Sequence, residues 1–376
     1  WRPSWWPASP TSACWPSGAD PTVAVDTSLG ARLAESIGAH GPMPFDDWVE
    51  ACLYDSDGGF YASGGGAGRR DDFLTSPEVG PLFGAVLARW MDARWEALGR
   101  PEGFTVIEVA AGTGTLARAI VAAGPTCLAG GRYVMVERSA SSRDEQPTGG
   151  CLSSVSDLSA LVGEGPVDHG VVVANELLDN LAFGLLEVVD GRWHQVVIDD
   201  PHGVGGGFRM VPGEETEPPV PIDAGSRPSG TRIPVQTVAA AWVTEAVGLV
   251  GAGSVLVVDY TSTTQEMADR PSAEWLRTYR GHERGGEPSE APGSQDVTVE
   301  VAVDQLPPGA VVDTQAAFLR RFGIDDLVEA GLRLWEERAH LGDLEAIRAR
   351  SRVAEAEALL DPTGLGDFTV LEWVRF

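Results

Sequence analysis

Residues Thr105–Leu116 read Thr-Val-Ile-Glu-Val-Ala-Ala-Gly-Thr-Gly-Thr-Leu, and this stretch decides the fold. Its first residues are β-branched and apolar, which is typical of a strand buried in a parallel sheet. Gly112 and Gly114 then allow backbone angles and a close approach that a Cβ atom would block. Helical spacing from Thr115 onward places free N–H groups at the start of a helix. The stretch therefore predicts a strand, a turn that binds a nucleotide-type ligand, and a helix.

Two acidic residues indicate which ligand the turn binds. A strand predicted over 132–136 ends in Glu137, 23 residues after Gly114, and an acid at that place suits the hydroxyls of a ribose. Glu108, four residues before Gly112, is placed to face the cationic amino-acid end of S-adenosylmethionine. The turn also lacks a third glycine, which would help to seat a pyrophosphate. These features favour S-adenosylmethionine, while the loose match to the dinucleotide pattern leaves NAD or FAD open as the rival.

The chain of 376 residues is long enough for one large domain with insertions or for two domains. Apolar strands alternate with helical spacing, which predicts an α/β fold with a doubly wound, Rossmann-like sheet. We expect five segments: a leader or mis-called start over 1–24, an N-terminal helical cap over 25–103, a cofactor-binding core with a β-hairpin excursion over 104–260, an insertion over 261–322, and helices with a closing strand over 323–376.

The charge of the chain restricts its partners. All 27 basic residues are arginines, 55 residues are acidic, and the formal net charge is −28. Such a surface repels phosphate backbones, so nucleic acid is a poor partner and a basic protein or a guanidinium group is a fitting one. The simpler alternative is that the acids only form a solvated surface. No apolar run approaches the ~18 residues of a transmembrane helix. The four cysteines form no CxxC pair, so we expect no metal site and a protein of the reducing cytoplasm. A homodimer stays open.

The segment before the core carries two further candidates. Ser76 is predicted to cap a helix that begins at Pro77 and runs to about Leu98. The glycine-rich stretch before it suggests a lid or a phosphate-binding loop, but the Gly-Lys-Ser/Thr of a P-loop is missing and the chain has no lysine, which disfavours phosphate. Thr75 and Glu78 at the start of this helix are candidates to line the cofactor pocket.

Polar residues also follow the apolar strand predicted over 171–174. Asn175, Glu176 and Asp179 come directly after it, and in open α/β sheets ligands bind beyond the carboxyl ends of the strands. Glu176 and Asp179 are three residues apart and share a face if the segment turns helically. The alternative is that Asn175 caps a helix and that the two acids are only solvated.

Several blocks of sequence together form a family pattern. The most specific blocks are Asp72-Phe73-Leu74-Thr75-Ser76-Pro77-Glu78 and Ala174-Asn175-Glu176-Leu177-Leu178-Asp179. The others are Gly59–Tyr61, Leu82–Gly84, Glu108–Leu116, Val136–Ser139, Val258–Tyr260, Leu276–Tyr279 with His282, Gly293–Thr298 and Thr314–Leu319. Over residues 42–376 the chain resembles the MidA family, methyltransferases related to the mitochondrial complex I assembly factor. Ala110 departs from the first glycine that is usual in this family, and Leu177-Leu178 departs from its usual aromatic pair.

The resemblance implies a class I methyltransferase fold and S-adenosylmethionine as the cofactor. On this basis Glu108, Gly112 and Gly114 would hold the methionine end and Glu137 the ribose hydroxyls. Asp157 is a candidate for the adenine edge. Methyl transfer is a displacement at a sulfonium carbon, so the protein mainly supplies position and electrostatics.

For the assembly-factor branch, the resemblance implies methylation of an arginine on a respiratory complex I subunit. Carboxylates suit a guanidinium because they only accept hydrogen bonds and can bind its planar fork two at a time. Glu176 and Asp179 are therefore the candidate catalytic residues, with Asn175 orienting them and His282 as a possible assistant.

Two other classes of function stay open. One is a methyltransferase for a small molecule, which a closed, aromatic-lined acceptor pocket would support. The other is a non-catalytic assembly factor that keeps the fold and binds a respiratory subunit, which loss of cofactor binding with retained partner binding would indicate.

Overall fold

The computed structural model of the protein describes residues 28–62, 75–162, 167–200, 203, 207–280 and 283–376. These residues form two compact units. The sheet unit consists of 75–162, 167–179, 243–261 and 307–376, and the hairpin unit consists of the remaining described residues.

The described residues contain thirteen α-helices: α1 (Leu29–His40), α2 (Phe45–Tyr54), α3 (Ser76–Val79), α4 (Pro81–Ala97), α5 (Thr115–Ala123), α6 (Ala140–Glu145), α7 (Ser159–Val162), α8 (Thr237–Leu249), α9 (Thr264–Ala268), α10 (Ser272–Trp275), α11 (Gln315–Arg321), α12 (Ile324–Arg338) and α13 (Leu344–Leu359). Among these described helices, none is both long enough and apolar enough to cross a membrane.

The strands of the described residues are β1 (Met43–Pro44), β2 (Thr105–Val109), β3 (Arg132–Val136), β4 (Leu152–Val155), β5 (Val167–Asn175), β6 (Gly184–Val189), β7 (Arg192–Asp199), β8 (Arg209–Glu215), β9 (Arg232–Val235), β10 (Val250–Asp259), β11 (Thr261–Ser262), β12 (Leu276–Arg280), β13 (Glu283–Arg284), β14 (Asp296–Val299), β15 (Val301–Ala302), β16 (Val311–Thr314) and β17 (Thr369–Arg375).

The sheet unit is built on a seven-stranded sheet with the strand order β16-β17-β10-β5-β2-β3-β4. The five strands from β10 to β4 are parallel, and β17 runs antiparallel to both of its neighbours. Residues 106–107, 171–173 and 256–257 of the central strands are fully buried, as continuous apolar runs in a parallel sheet predict. The predicted α/β fold with a Rossmann-like sheet is confirmed.

Helix α4 is fixed to the sheet by one buried acid. The Glu372 carboxylate on β17 is 3% exposed and accepts a hydrogen bond from Trp90 Nε1 at 2.9 Å. It also accepts two bonds of 2.6 Å from Arg94 Nε and Nη2. Because such a planar two-point pair restricts both partners, α4 holds a defined position beside β17.

The prediction of a single helix after Ser76 is wrong, since Gly80 separates α3 from α4. The buried Glu355 carboxylate accepts the Leu82 N–H at 2.9 Å, and a Cβ atom on Gly80 would lie 2.4 Å from Glu355 Cδ. Ser76 is the first residue of α3 and not its cap, and its hydroxyl donates to Gln315 Oε1 at 2.9 Å. Pro81 breaks the helix locally, because it has no N–H to donate and disfavours helical geometry at Gly80, and Glu355 then binds the start of α4.

The hairpin unit contains two antiparallel sheets. One has the order β1-β7-β6-β9, with β8 also paired to β7, and the other has the order β13-β12-β14. The β6–β7 hairpin turns at Asp190-Gly191, where the φ angles of 50° and 77° are those that a type I′ turn requires. Helices α1 and α2 pack in a core with Phe183 and Trp275.

The two units divide the chain differently from the five predicted segments. Residues 75–103, assigned to an N-terminal cap, belong to the sheet unit, and so do β16 and α11, which were assigned to an insertion. The hairpins β6–β9, assigned to the core, belong to the hairpin unit. The proposed leader over 1–24 lies outside the described residues. Each unit is assembled from separate parts of the chain, whereas the predicted segments are contiguous, and those segments stay predictions.

Candidate active site

The carboxyl edge of the parallel strands carries most of the predicted site residues. The glycine turn follows β2, Glu137 follows β3, Asp157 follows β4, Asn175 ends β5, and Asp259 ends β10. These positions follow from the strand order, because the carboxyl ends of parallel strands meet at one edge. This edge is therefore the candidate active site of the sheet unit.

The glycine turn has the backbone that a ligand-binding turn needs. Ala110, Gly112 and Gly114 all have positive φ angles, of 57°, 51° and 83°, and Gly114 is the N-cap of α5. A Cβ atom on Gly112 would meet nothing within 4 Å, whereas one on Gly114 would lie 2.7 Å from Pro147 Cδ. Gly112 thus borders open space and Gly114 is packed.

Glu137 is hydrogen-bonded to this turn. Its Oε2 atom accepts the Gly112 N–H at 2.9 Å, and its Oε1 atom accepts the Ser139 N–H at 2.8 Å. Each carboxylate oxygen has two lone pairs, so both can accept a further hydrogen bond. The residue predicted to bind the ribose is therefore held beside the turn with accepting capacity to spare.

Glu108 lies inside β2 and is 5% exposed. Tyr133 donates its hydroxyl to Glu108 Oε2 at 2.7 Å. Burial raises the pKa of Glu108 to about 8, and the nearby Glu137 adds to this while Tyr133 and Arg118 oppose it. Before a ligand binds, Glu108 is thus mostly protonated at neutral pH.

Three other predicted cofactor residues have local roles in the structure. Thr75 is 6% exposed and is the N-cap residue of α3, although its side chain makes no capping hydrogen bond. Glu78 donates its N–H to Thr75 O at 2.9 Å. Asp157 accepts hydrogen bonds from Ser159, Ser156 and the Ala160 N–H, which outweigh burial and lower its pKa. Their contacts with a cofactor stay predictions.

A cluster of acids closes the ends of β5 and β10. Asp259 is fully buried, and its Oδ2 atom accepts the N–H groups of Leu178 at 3.0 Å and Asp179 at 3.3 Å. Its Oδ1 atom accepts the Tyr260 N–H at 3.0 Å. The Tyr260 hydroxyl donates to Asp179 Oδ2. Burial, with the charges of Asp179 and Glu176, raises the pKa of Asp259 well above its usual value.

Glu176 is the most accessible acid of this cluster, since part of its surface is exposed while Asp179 and Asp259 are buried. Its φ angle of 53° is rare for a residue with a side chain, and non-glycine residues held in this region are found preferentially at functional sites. The Glu176 N–H donates to Val258 O at 2.8 Å, which fixes this conformation.

The Glu176 carboxylate is held by two donors. Asn175 Nδ2 donates to Glu176 Oε1 at 2.9 Å, and the Ser76 N–H also donates to the carboxylate. Burial and the charge of Asp179 outweigh these bonds and raise the pKa of Glu176 to about 8. The Asn175 Oδ1 atom is buried and has no hydrogen-bond partner among the described residues.

The structure therefore brings together Asn175, Glu176 and Asp179, while His282 lies outside the described residues. Sequence reasoning missed Asp259 and Tyr260 as site residues. The sequence did indicate them, because they follow a buried apolar strand that pairs in parallel with β5, and the carboxyl ends of both strands lie at the same edge.

The fold and this edge define a methyltransferase. A family model for S-adenosyl-L-methionine-dependent methyltransferases matches residues 86–319, and the chain belongs to this family. The protein arginine methyltransferase NDUFAF7 of Danio rerio is 23% identical over 390 residues, which span 93% of this chain and 88% of that protein. Its Drosophila melanogaster homolog is 27% identical over 46% of this chain and 45% of that protein. The chain thus matches less than half of the fly protein's length.

Solved structures give the same class. A Burkholderia thailandensis protein, described as a "likely methyl transferase" and bound to S-adenosyl-homocysteine, is 25% identical with a TM-score of 0.74 over 92% of each chain. A native structure from the same organism is 23% identical with a TM-score of 0.72. The class I methyltransferase fold expected from the MidA resemblance is confirmed, as is S-adenosylmethionine as the cofactor.

The residues present fit this cofactor, which supplies a methyl group activated on a sulfonium. Open space borders Gly112, where a Cβ atom would have no neighbour within 4 Å. Glu137 has free acceptor capacity for two hydroxyls, and Glu108 is a buried carboxyl that a cationic ammonium would favour in its ionised form. The chain therefore offers acceptors for the ribose hydroxyls and for the ammonium of the ligand.

We expect the affinity for S-adenosyl-homocysteine to rise roughly tenfold between pH 6 and pH 8, because the ligand's ammonium favours ionised Glu108 and binding then releases a proton. Calorimetric titration at several pH values measures this. The Glu108→Gln variant should bind more weakly at pH 8 and lose most of the pH dependence. An unchanged pH slope in this variant would contradict the role, and Glu96→Gln on the exposed side of α4 is the matched control.

Proposed function

We propose that the protein transfers a methyl group from S-adenosylmethionine to the guanidinium group of a protein arginine. The observation that carries this proposal is the cluster of Glu176, Asp179 and Asp259 at the ends of β5 and β10. Three carboxyls that disfavour one another's ionisation form a site that a cation would stabilise. The names of the fly and zebrafish relatives, both protein arginine methyltransferases, support the same acceptor.

Methyl transfer to a guanidinium nitrogen requires a group in the site that accepts a proton. A free guanidinium stays protonated because its pKa exceeds about 12. During transfer a guanidinium nitrogen forms the new N–C bond while the S–C bond of the sulfonium breaks, and one N–H proton must leave. Glu176 is the group that receives this proton, since it is the partly exposed acid of the cluster and its raised pKa suits a general base.

The other members of the cluster hold Glu176 and the acceptor in place. Asp259 binds two backbone N–H groups of the segment after Glu176 and so fixes its path. The Tyr260 hydroxyl donates to Asp179 and orients this carboxylate, whose charge acts on Glu176. Asn175 donates to Glu176 Oε1 and selects the orientation of that carboxylate.

The protein that carries the arginine should be basic, because the chain has a net charge of −28 and opposite charges speed encounter. The MidA resemblance makes a subunit of respiratory complex I the first acceptor to test. This choice is independent of the chemistry at the cluster, which concerns only the guanidinium.

The experiment is methyl transfer from labelled S-adenosylmethionine to dissociated complex I subunits, followed by acid hydrolysis and identification of the labelled amino acid. We expect methylarginine. Label on lysine would overturn the guanidinium assignment, and so would label that mild base releases from the protein before hydrolysis, which marks a carboxyl methyl ester. Binding of S-adenosyl-homocysteine without any transfer would instead support the non-catalytic assembly factor.

A further inference from the structure

Gln146 is a buried polar residue that the site as described does not use. It lies after α6 and is 6% exposed. Its Nε2 atom donates to the Gly112 carbonyl at 2.7 Å, and its Oε1 atom accepts the Ser154 hydroxyl at 2.5 Å. A side chain thus connects β4 to the glycine turn after β2.

The Gly112 residue is consequently held on both sides. Glu137 accepts its N–H at 2.9 Å, and Gln146 donates to its carbonyl. Arg118 Nη1 also donates to the next carbonyl, that of Thr113, at 2.6 Å. Three side chains from different segments therefore fix two successive residues of the turn, although Gly112 has the positive φ of an otherwise adaptable position.

The hydrogen bond from Gln146 to the Gly112 carbonyl also determines the direction of the Thr113 N–H group. In a trans peptide the carbonyl of one residue and the N–H of the next point in opposite directions. Because the Gly112 carbonyl is turned toward Gln146, the Thr113 N–H points away from it. The Gly112 and Gly114 N–H groups have protein acceptors, whereas no hydrogen bond among the described residues uses the Thr113 N–H.

We propose that Gln146 is a positioning residue for the cofactor: its amide turns the Gly112–Thr113 peptide so that the Thr113 N–H is available to the amino-acid end of S-adenosylmethionine. The carboxylate of that end is the fitting acceptor, because ionised acceptors form the stronger hydrogen bonds with backbone N–H groups. Gln146 also couples the turn to Glu137, since both act on Gly112. The inference concerns the cofactor alone and does not depend on the methyl acceptor.

Calorimetric titration of the full chain with S-adenosyl-homocysteine tests this role, and binding to the wild-type protein is measured first. Gln146→Glu keeps the length and the acceptor for Ser154 but places an oxygen against the Gly112 carbonyl. We expect its affinity at pH 8 to fall about tenfold, which corresponds to about 1.4 kcal/mol. Gln146→Leu, which removes both hydrogen bonds, should lose at least as much.

Lowering the pH separates positioning from general damage to the fold. In the Gln146→Glu variant, protonation of the introduced carboxylate restores an O–H donor to the Gly112 carbonyl. Between pH 8 and pH 5.5 we therefore expect the affinity of Gln146→Glu, relative to wild type, to recover severalfold, while Gln146→Leu does not recover. The charged residues Glu137, Glu108 and Arg118 are near the turn in every variant, so the Leu variant accounts for any effect of pH that does not come from residue 146.

A partly buried glutamine in the hairpin unit, Gln305, provides the matched control. Gln305 donates to Pro234 O at 2.9 Å and accepts the Gln236 N–H at 2.9 Å. Gln305→Leu should lower the urea midpoint of the unliganded protein and leave the affinity for S-adenosyl-homocysteine within twofold of wild type. Wild-type affinity in both Gln146 variants, or equal losses in Gln305→Leu, would overturn the proposal.

Discussion

Replacement of Glu176 by glutamine should lower kcat for methyl transfer by about 10²–10⁴-fold, the range observed for general acid–base groups. Glutamine keeps the size of the side chain and can still accept the bond from Asn175, but it cannot receive the proton that leaves the guanidinium. The measurement is the initial rate with the labelled acceptor at saturating S-adenosylmethionine. The affinity for S-adenosyl-homocysteine should stay within twofold of wild type.

The pH dependence of kcat/KM is a second test of the role of Glu176. Because burial raises the pKa of Glu176 to about 8, the free enzyme holds this carboxyl mostly protonated at pH 6 and mostly ionised at pH 9. We expect kcat/KM for the acceptor to rise with pH through about 8 and the Glu176→Gln profile to be flatter. Glu96→Gln, an exposed acid of α4, should behave like wild type. Full turnover by Glu176→Gln would exclude Glu176 as the base.

Gly112→Val should reduce the affinity for S-adenosyl-homocysteine by more than 100-fold. The new side chain would occupy the open space beside Gly112, where its Cβ atom meets no protein atom within 4 Å, and we place the ligand in that space. A positive φ costs a residue with a Cβ atom about 1–2 kcal/mol and a β-branched residue more, so the stability of the variant is compared with that of a control with the same backbone cost. Calorimetric titration measures the affinity, and urea unfolding measures the stability.

The control for this variant is Gly124→Val at the C-cap of α5. Gly124 has a φ of 69° and open space around its Cβ position, so its backbone cost resembles that of Gly112. It does not belong to the glycine turn. Gly124→Val should lose a similar amount of stability and bind the ligand normally. If both variants bind equally well, the open space beside Gly112 is not the cofactor site.

The sequence predicts the sheet and its edge well because the determining signals are local. The stretch from Thr105 to Leu116 contains its own strand, turn and helix start, and Glu137 and Asn175 follow apolar strands directly. Since the carboxyl ends of parallel strands lie at one edge of a sheet, a prediction of the strands also predicts that these residues lie close together.

The features that sequence reasoning missed depend on distant residues. The Leu82 N–H at the start of α4 is bound by Glu355, 273 residues further along the chain, and Asp179 is oriented by Tyr260, 81 residues further along the chain. Gln146 acts on Gly112 across 34 residues. No local pattern encodes such pairs, because each is created by the packing of separate segments. The five predicted segments differ from the two units for the same reason.

The most direct test of the account compares an arginine peptide with its citrulline counterpart. The peptide spans the arginine that carries label in the acceptor experiment, and citrulline keeps its shape while it removes the positive charge. Binding is measured to the protein saturated with S-adenosyl-homocysteine. A cluster of carboxyls built for a cation predicts at least tenfold tighter binding of arginine, and a smaller difference in Glu176→Gln. Equal affinity for the two peptides would contradict the guanidinium assignment.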